Sequence, residues 1–224
     1  MNKQAIINKT AVMVHKKITG QESVHDWWHT ERVWRMAKYI AAKERADQFI
    51  VQITALVHDL DDYKLHHGNT NKAKTAITKL LRQVKIDGQT IKNILKIITD
   101  MSFKGSGTLS PMQSLEGKIV QDADHLDGIG AIGIARAFAF GGYLRRPIYD
   151  PTIKITKHAS FKEWKKLYKK NKPLANTTIN HFYEKLLLLK DRMNTKTAKK
   201  IATKRHQYMK EYLSEFYKEQ KLNK

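Results

Sequence analysis

The sequence predicts an all-α protein, and three observations carry that expectation. Apolar residues recur at three- and four-residue steps through most of the 224 residues, the pattern of helices that each bury one face. Only four prolines and 11 glycines interrupt it. No convincing run of alternating apolar and polar residues marks a strand.

Taken in order, residues 4–18 set Ile7, Val12, Val14 and Ile18 among lysines and polar groups, which predicts a first helix. Residues 25–46 repeat the pattern with Trp28, Val33, Trp34, Ala37, Ile40 and Ala41. From Asp47 to Asp59 runs FIVQITALVH, a short and heavily apolar helix. Two amphipathic helices follow, Asn71 to Val84 and Gly88 to Met101, divided by the turn-like Ile86-Asp87-Gly88. Another opens after Pro111 and carries Leu115, Ile119 and Val120 towards Asp124. The stretch from Gly128 to Gly133 is small enough for close helix packing, at some cost in helix propensity. Residues 141–175 differ, with Gly141-Gly142, Pro147, Asp150-Pro151 and Pro173. They predict a long irregular excursion of the kind that serves as a lid or binding segment. Helical pattern returns over Thr177 to Met193, where Leu186 to Leu189 read as core, and over Thr195 to Lys218. The whole is expected to be a single domain over 1–224, with its core at about 22–140, a lid at 141–175 and C-terminal helices at 176–220.

Composition narrows the function. Hydrophobic residues make up 41% of the chain, so a sizeable core is available despite 28% charge. There is no cysteine, which excludes disulfides, thiolate metal sites and a thiol nucleophile. No stretch of about 18 apolar residues or secretory apolar block occurs, so no membrane association and a cytoplasmic location are expected. Lys plus Arg number 42 against 21 acids, a formal net charge of +21. Such a field draws polyanions, but the lysines run along the whole chain and no nucleic-acid motif accompanies them. Nucleic acid is therefore a possible partner and not the favoured one. Oligomeric state is left open.

Ionisable residues set in apolar helices are costly unless they are employed. His58 and Asp59 end the run from Ile53 to Val57, His29 sits in an aromatic-rich stretch, and Asp124 lies near the end of an apolar segment. Together they offer two imidazoles and two carboxylates, a donor set suited to Mn, Fe, Mg, Co or Ni rather than to a closed structural zinc site. A His-Asp pair alone says little, and the chain has two, His25-Asp26 and His58-Asp59. His25 and His29, four apart, are an alternative pair of ligands on one helix face.

The order His29, His58-Asp59, Asp124 resembles the H…HD…D signature of the HD phosphohydrolases. His29-Thr30-Glu31-Arg32-Val33 is similar to that family's HxxRV, and Ala123-Asp124-His125-Leu126 to its ADxL. The strings from His25 to His29, Ser102 to Gly105 and Thr178 to Leu186 resemble the bacterial YpgQ-type branch, whose members are implicated in nucleotide pyrophosphohydrolysis. The likeness spans about Glu22 to Tyr217. It implies an HD-type helical bundle with additional C-terminal helices and a divalent metal held by His29, His58, Asp59 and Asp124. Asp122 is the rival to Asp124, since residues two apart on a helix do not share a face.

The chemistry implied is hydrolysis of a phosphoanhydride, with nucleoside triphosphate cleaved to monophosphate and pyrophosphate by water that a divalent ion has acidified. Asp62 stands where related enzymes often carry a catalytic glutamate, and its shorter side chain reaches less far. It is expected to orient the attacking water or take its proton. Arg32 is the first phosphate-clamping cation, followed by Lys104, Arg145, Arg146 and Lys185 with Arg192. Asn180 and His181 are expected near the substrate, although His181 also fits a structural role. Trp27, Trp28 and Trp34 offer base-stacking surfaces, with helical core the more ordinary use. Other readings are a monophosphate phosphatase or alarmone hydrolase with the same metal site, a non-enzymatic nucleic-acid-binding helical protein, and an inactive metal-binding scaffold.

Overall fold

The computed structural model describes residues 2–19, 26–60, 70–101, 112–156 and 176–221. Among them are nine α-helices and one 3₁₀ helix, and no strand. The all-α expectation holds.

Caps set where the early helices start. α1 (Lys3–Ile18) begins at Asn2, whose side chain accepts from the Ala5 amide at 2.8 Å. α2 (Trp27–Glu44) begins at Asp26, which accepts from the His29 amide at 2.8 Å. α3 (Gln48–Val57) begins at Asp47, which takes the Phe49 and Ile50 amides at 2.7 and 3.1 Å. Each cap satisfies donors that the first turn leaves open. α4 (Thr70–Gln83) leads to α5 (Gly88–Met101), opened by Asp87, whose carboxylate accepts from the Thr90 and Gln89 amides. Those hydrogen bonds, that of Thr90 first, hold its pKa below the usual value. No described helix is long and apolar enough to cross a membrane.

The chain gathers into two compact units, Met1–Ser102 with Pro111–Ala123, and Phe103–Ser110 with Asp124–Lys224. The boundary falls within α6 (Leu115–Asp127). In the first unit α3 is the central element: α1, α2 and α5 all pack on it, and every residue from Val51 to Val57 is buried. Ile7, Val14, Ile53, Leu56, Leu81, Val84 and Ile94 belong to this core. Its continuous apolar run follows from having neighbours on several sides, where an amphipathic stripe would not serve.

In the second unit α7 (Gly130–Tyr143) packs with α8 (Thr178–Glu184) and α9 (Lys196–Glu219), and the 3₁₀ helix (Leu186–Arg192) packs with α8 and α9. Phe138, Phe182 and Tyr212 meet with ring centroids 6.0–6.1 Å apart. Two expectations are corrected here. Residues 177–193 do not form one α-helix, because Lys185 leaves helical conformation at φ −138°, ψ −59°. Beyond it the chain tightens to 3₁₀ spacing, which stacks Leu186 and Leu189 on one buried face and leaves Leu188 exposed. The glycine stretch is a break between two helices as well as a packing surface. Gly130 has φ +79°, and a Cβ on Gly133 would lie 2.4 Å from the Gly128 carbonyl oxygen.

That neighbour is backbone and cannot swing away. Gly133→Ala is therefore expected to destabilise the fold by about 1–3 kcal/mol. A Cβ on Gly142, in the same helix, meets nothing within 4 Å. Gly142→Ala should stabilise by about 0.5 kcal/mol through lower unfolded-chain entropy. Urea unfolding of the two variants checks the opposite signs.

Candidate metal centre

α2 and α3 bring three of the expected ligands together. One donor atom each from His29, His58 and Asp59 lie within 4.8 Å of one another. Asp59 Oδ2 stands 3.2 Å from His29 Nε2 and 3.4 Å from His58 Nε2. The imidazole side chains are 1% and 3% exposed, whereas Asp59 is 20% exposed, so the cluster has one wetter side. His29 is placed by the α2 cap, three residues after Asp26. That gives the first His-Asp pair a structural use, with Asp26 holding a helix end; His25 lies outside the described residues.

The tautomer of His58 decides what this cluster asks for. Its Nδ1 is 2.8 Å from the Ala55 carbonyl oxygen, which can only accept, so Nδ1 carries a proton and donates. In the neutral ring Nε2 then presents a lone pair. That atom is buried and makes no hydrogen bond, yet a carboxylate oxygen faces it at 3.4 Å. Two acceptors at that distance repel unless positive charge, a proton or a metal ion, lies between them. A divalent ion fits: ligand bonds of about 2.1 Å put neighbouring octahedral donors about 3 Å apart. The Nδ1 hydrogen bond is also the usual device that orients a metal-binding imidazole.

The other expected residues are distributed as follows. Asp122 is fully buried on α6 in the first unit, and Asp124, half-buried, begins the second unit's share of that helix. Asp127 is buried and bound to Arg136 at 2.7 Å. Arg32 is half-buried one turn after His29. Asp62 and Lys104 lie outside the described residues. Trp27 and Trp34 pack against the first unit's core, with the Trp34 indole donating to Gln52 at 3.0 Å. Trp28 departs from the core expectation and is 62% exposed.

A second group of cations forms within the second unit. The described part of the irregular segment runs beside α8: the Thr178 and Ile179 amides donate to the Pro147 and Ile148 carbonyls, both at 3.0 Å. The Asn180 amide group donates to the Ile153 carbonyl at 2.9 Å, so Asn180 serves as a strut for that segment. This docking sets Arg146 near His181 and Lys185. Burial first, then the charges of Lys185 and Arg146, push His181 down to about 3. Arg145 is exposed, in left-handed conformation at φ 53°, and burial lowers the pKa of Arg192. The i, i+4 spacing of His181 and Lys185 is readable from the sequence. The Ala55 carbonyl is not, since any backbone carries that acceptor.

His181 is neutral in the fold, while the unfolded chain protonates it near the ordinary 6.5. The unfolded state therefore takes up the proton first, and stability present above pH 6.5 is lost as pH falls towards 3. The urea midpoint of the protein is expected to drop between pH 7 and pH 5. His181→Asn should show a smaller drop over the same interval, whatever its absolute stability.

The HD domain family model matches residues 27–129, the span that holds His29, His58, Asp59 and Asp124. YpgQ of Bacillus subtilis is 39% identical over 211 residues, 92% of this chain and 89% of YpgQ. A crystal structure of YpgQ in complex with ADP aligns at TM-score 0.75 and 35% identity, over 98% of this chain and 97% of that one. An HD-superfamily hydrolase from Bacillus thuringiensis aligns at TM-score 0.76 and 37% identity, over 98% and 99% of the two chains. A Lactobacillus plantarum structure gives 0.82 and 34% over the full length of both. With a relative of that identity matched across nearly its whole length, the chain belongs to the HD-domain superfamily of metal-dependent phosphohydrolases, alongside YpgQ.

Proposed function

We propose that this phosphohydrolase acts on nucleotides and cleaves nucleoside triphosphates to monophosphate and pyrophosphate. One observation carries the metal chemistry in this reading: a buried His58 Nε2 without a hydrogen bond faces a carboxylate next to His29. The ADP bound in the YpgQ crystal structure supports a nucleotide ligand.

His29, His58 and Asp59 would hold the ion, with Asp124 as fourth ligand on the strength of the ADxL string. When bound, a divalent ion acidifies water and draws charge from a phosphoryl oxygen. The chain's own groups do the rest. Asp62 takes a proton from the attacking water as its oxygen bonds to the α-phosphorus. The bond from that phosphorus to the bridging oxygen breaks, and pyrophosphate leaves with the electron pair. Arg32, one turn from His29, is the cation of the first unit best placed by register to meet a phosphate oxygen. In the second unit Arg145, Arg146, His181 and Lys185, with Asn180 holding their segment, supply positive charge of the kind that binds phosphate, and Lys104 is proposed for the same task. His181, kept neutral, adds a hydrogen-bonding imidazole without a further charge.

The test is a nucleotide panel incubated with Mn or Mg and resolved by product. Pyrophosphate with monophosphate is expected, and EDTA should abolish turnover. His58→Ala should retain helicity, lose bound metal by elemental analysis, and cut turnover by more than about a hundredfold. Orthophosphate as the released product would overturn pyrophosphohydrolysis while leaving the metal site intact. Full activity in His58→Ala would remove the site itself.

A further inference from the structure

Two neighbouring helices of the first unit carry cations and no acid. α1 carries Lys3, Lys9, Lys16 and Lys17, α4 carries Lys72, Lys74, Lys79 and Arg82, and neither helix holds an aspartate or glutamate. The two pack against each other, and α4 packs on α5, which adds Lys92, while Lys96 of α5 is paired with Asp100 at 2.7 Å. Lys9, Lys16, Lys74, Lys79, Arg82 and Lys92 are all exposed. Arg35 stands beside Glu31 on α2 and Lys218 beside Glu215 on α9, whereas Lys196, Lys199, Lys200 and Lys204 open α9 with no acid before Glu211. An open depression of about 570 Å³ lies on α4, lined among the described residues by Lys74, Thr75, Thr78, Lys79, Arg82 and Gln83. Those side chains supply ammonium, guanidinium, hydroxyl and amide donors and no carboxylate.

We propose that the joint face of α1 and α4 binds nucleic acid through its phosphate backbone, without reading bases. Lys9 and Lys16, seven residues apart, share a face about 10 Å from one another along α1, and Lys79 and Arg82 share a face of α4. A polyanion can meet several cations so spaced at once. Phe, Tyr and Trp are absent from α1, α4 and α5, so the face lacks the stacking platform that single-strand and base recognition use. Of the bulky apolar residues on these helices only Val12 is prominently exposed. A membrane-surface helix would instead present an apolar face to insert. Duplex backbone, with a phosphate charge about every 1.7 Å of axis, is the partner that such a face fits.

The experiment uses the full chain, a fluorescent 30-base-pair duplex and anisotropy from about 50 to 200 mM salt, with EDTA present so that the metal site takes no part. Binding is expected to weaken linearly on a log–log salt plot. Combined Lys9→Glu, Lys16→Glu, Lys79→Glu and Arg82→Glu should weaken it roughly tenfold or more. The same change should flatten the slope by about 0.9 for every phosphate that the protein no longer neutralises. Helicity and nucleotide hydrolysis should stay unchanged. No binding by the unaltered chain at the lowest salt would overturn the proposal. So would weakening by combined Lys196→Glu, Lys199→Glu, Lys200→Glu and Lys204→Glu in α9 with none from the first set. Tighter binding to phosphatidylserine vesicles than to duplex would count against it equally.

Discussion

The buried His58 Nε2 faces the Asp59 carboxylate at 3.4 Å without a hydrogen bond, an arrangement that calls for positive charge between them, and much of the first unit holds it in place. The Ala55 carbonyl takes the proton on Nδ1 and turns the Nε2 lone pair towards Asp59. α3 is surrounded by α1, α2 and α5, and that nitrogen is buried without a hydrogen-bond partner in the protein. α2, started at Asp26, sets His29 against the same carboxylate oxygen. Burial of facing acceptors costs free energy unless positive charge accompanies it. A cation removes the cost, which ties the stability of α3's end to the occupancy of the site.

The second unit solves a different electrostatic problem. Three groups that are all cationic when protonated, Arg146, His181 and Lys185, lie close enough to sense one another. The fold lowers the repulsion by keeping His181 neutral through burial. The segment 147–153 is tied to α8 by main-chain and Asn180 hydrogen bonds, and these satisfied backbone groups fix where Arg146 stands. Glu184 is engaged with the same stretch of chain, accepting from the Thr156 amide and from Asn176. A cluster of cations held in this way suits an anionic ligand.

The two kinds of charge have separate origins. The metal cluster needs a few groups placed within a few ångströms of each other, and the α1 and α4 lysines need only exposure on helices free of acids. The net charge of +21 gives no sign of how its positive residues are divided. Only tertiary packing brings the cations of α1 and α4 onto neighbouring helices of the first unit.

The periodicity of the sequence determined most helices to within one or two residues, since a buried face recurs with the helix's own repeat. α1 (Lys3–Ile18) and α5 (Gly88–Met101) are the clearest cases. The grouping of His29, His58 and Asp59 was legible only through the family-like order of these residues along the chain, since no local pattern joins residues 30 apart. Tertiary structure alone decided the rest. Leu186 to Leu189 are compatible with an α-helix until Lys185 leaves that conformation and packing selects a 3₁₀ turn. Trp28 reads as core beside Trp27 and Trp34, yet its direction from α2 leaves it exposed. The His58 tautomer depends on a backbone carbonyl, a group that every residue carries and that only a fold can aim.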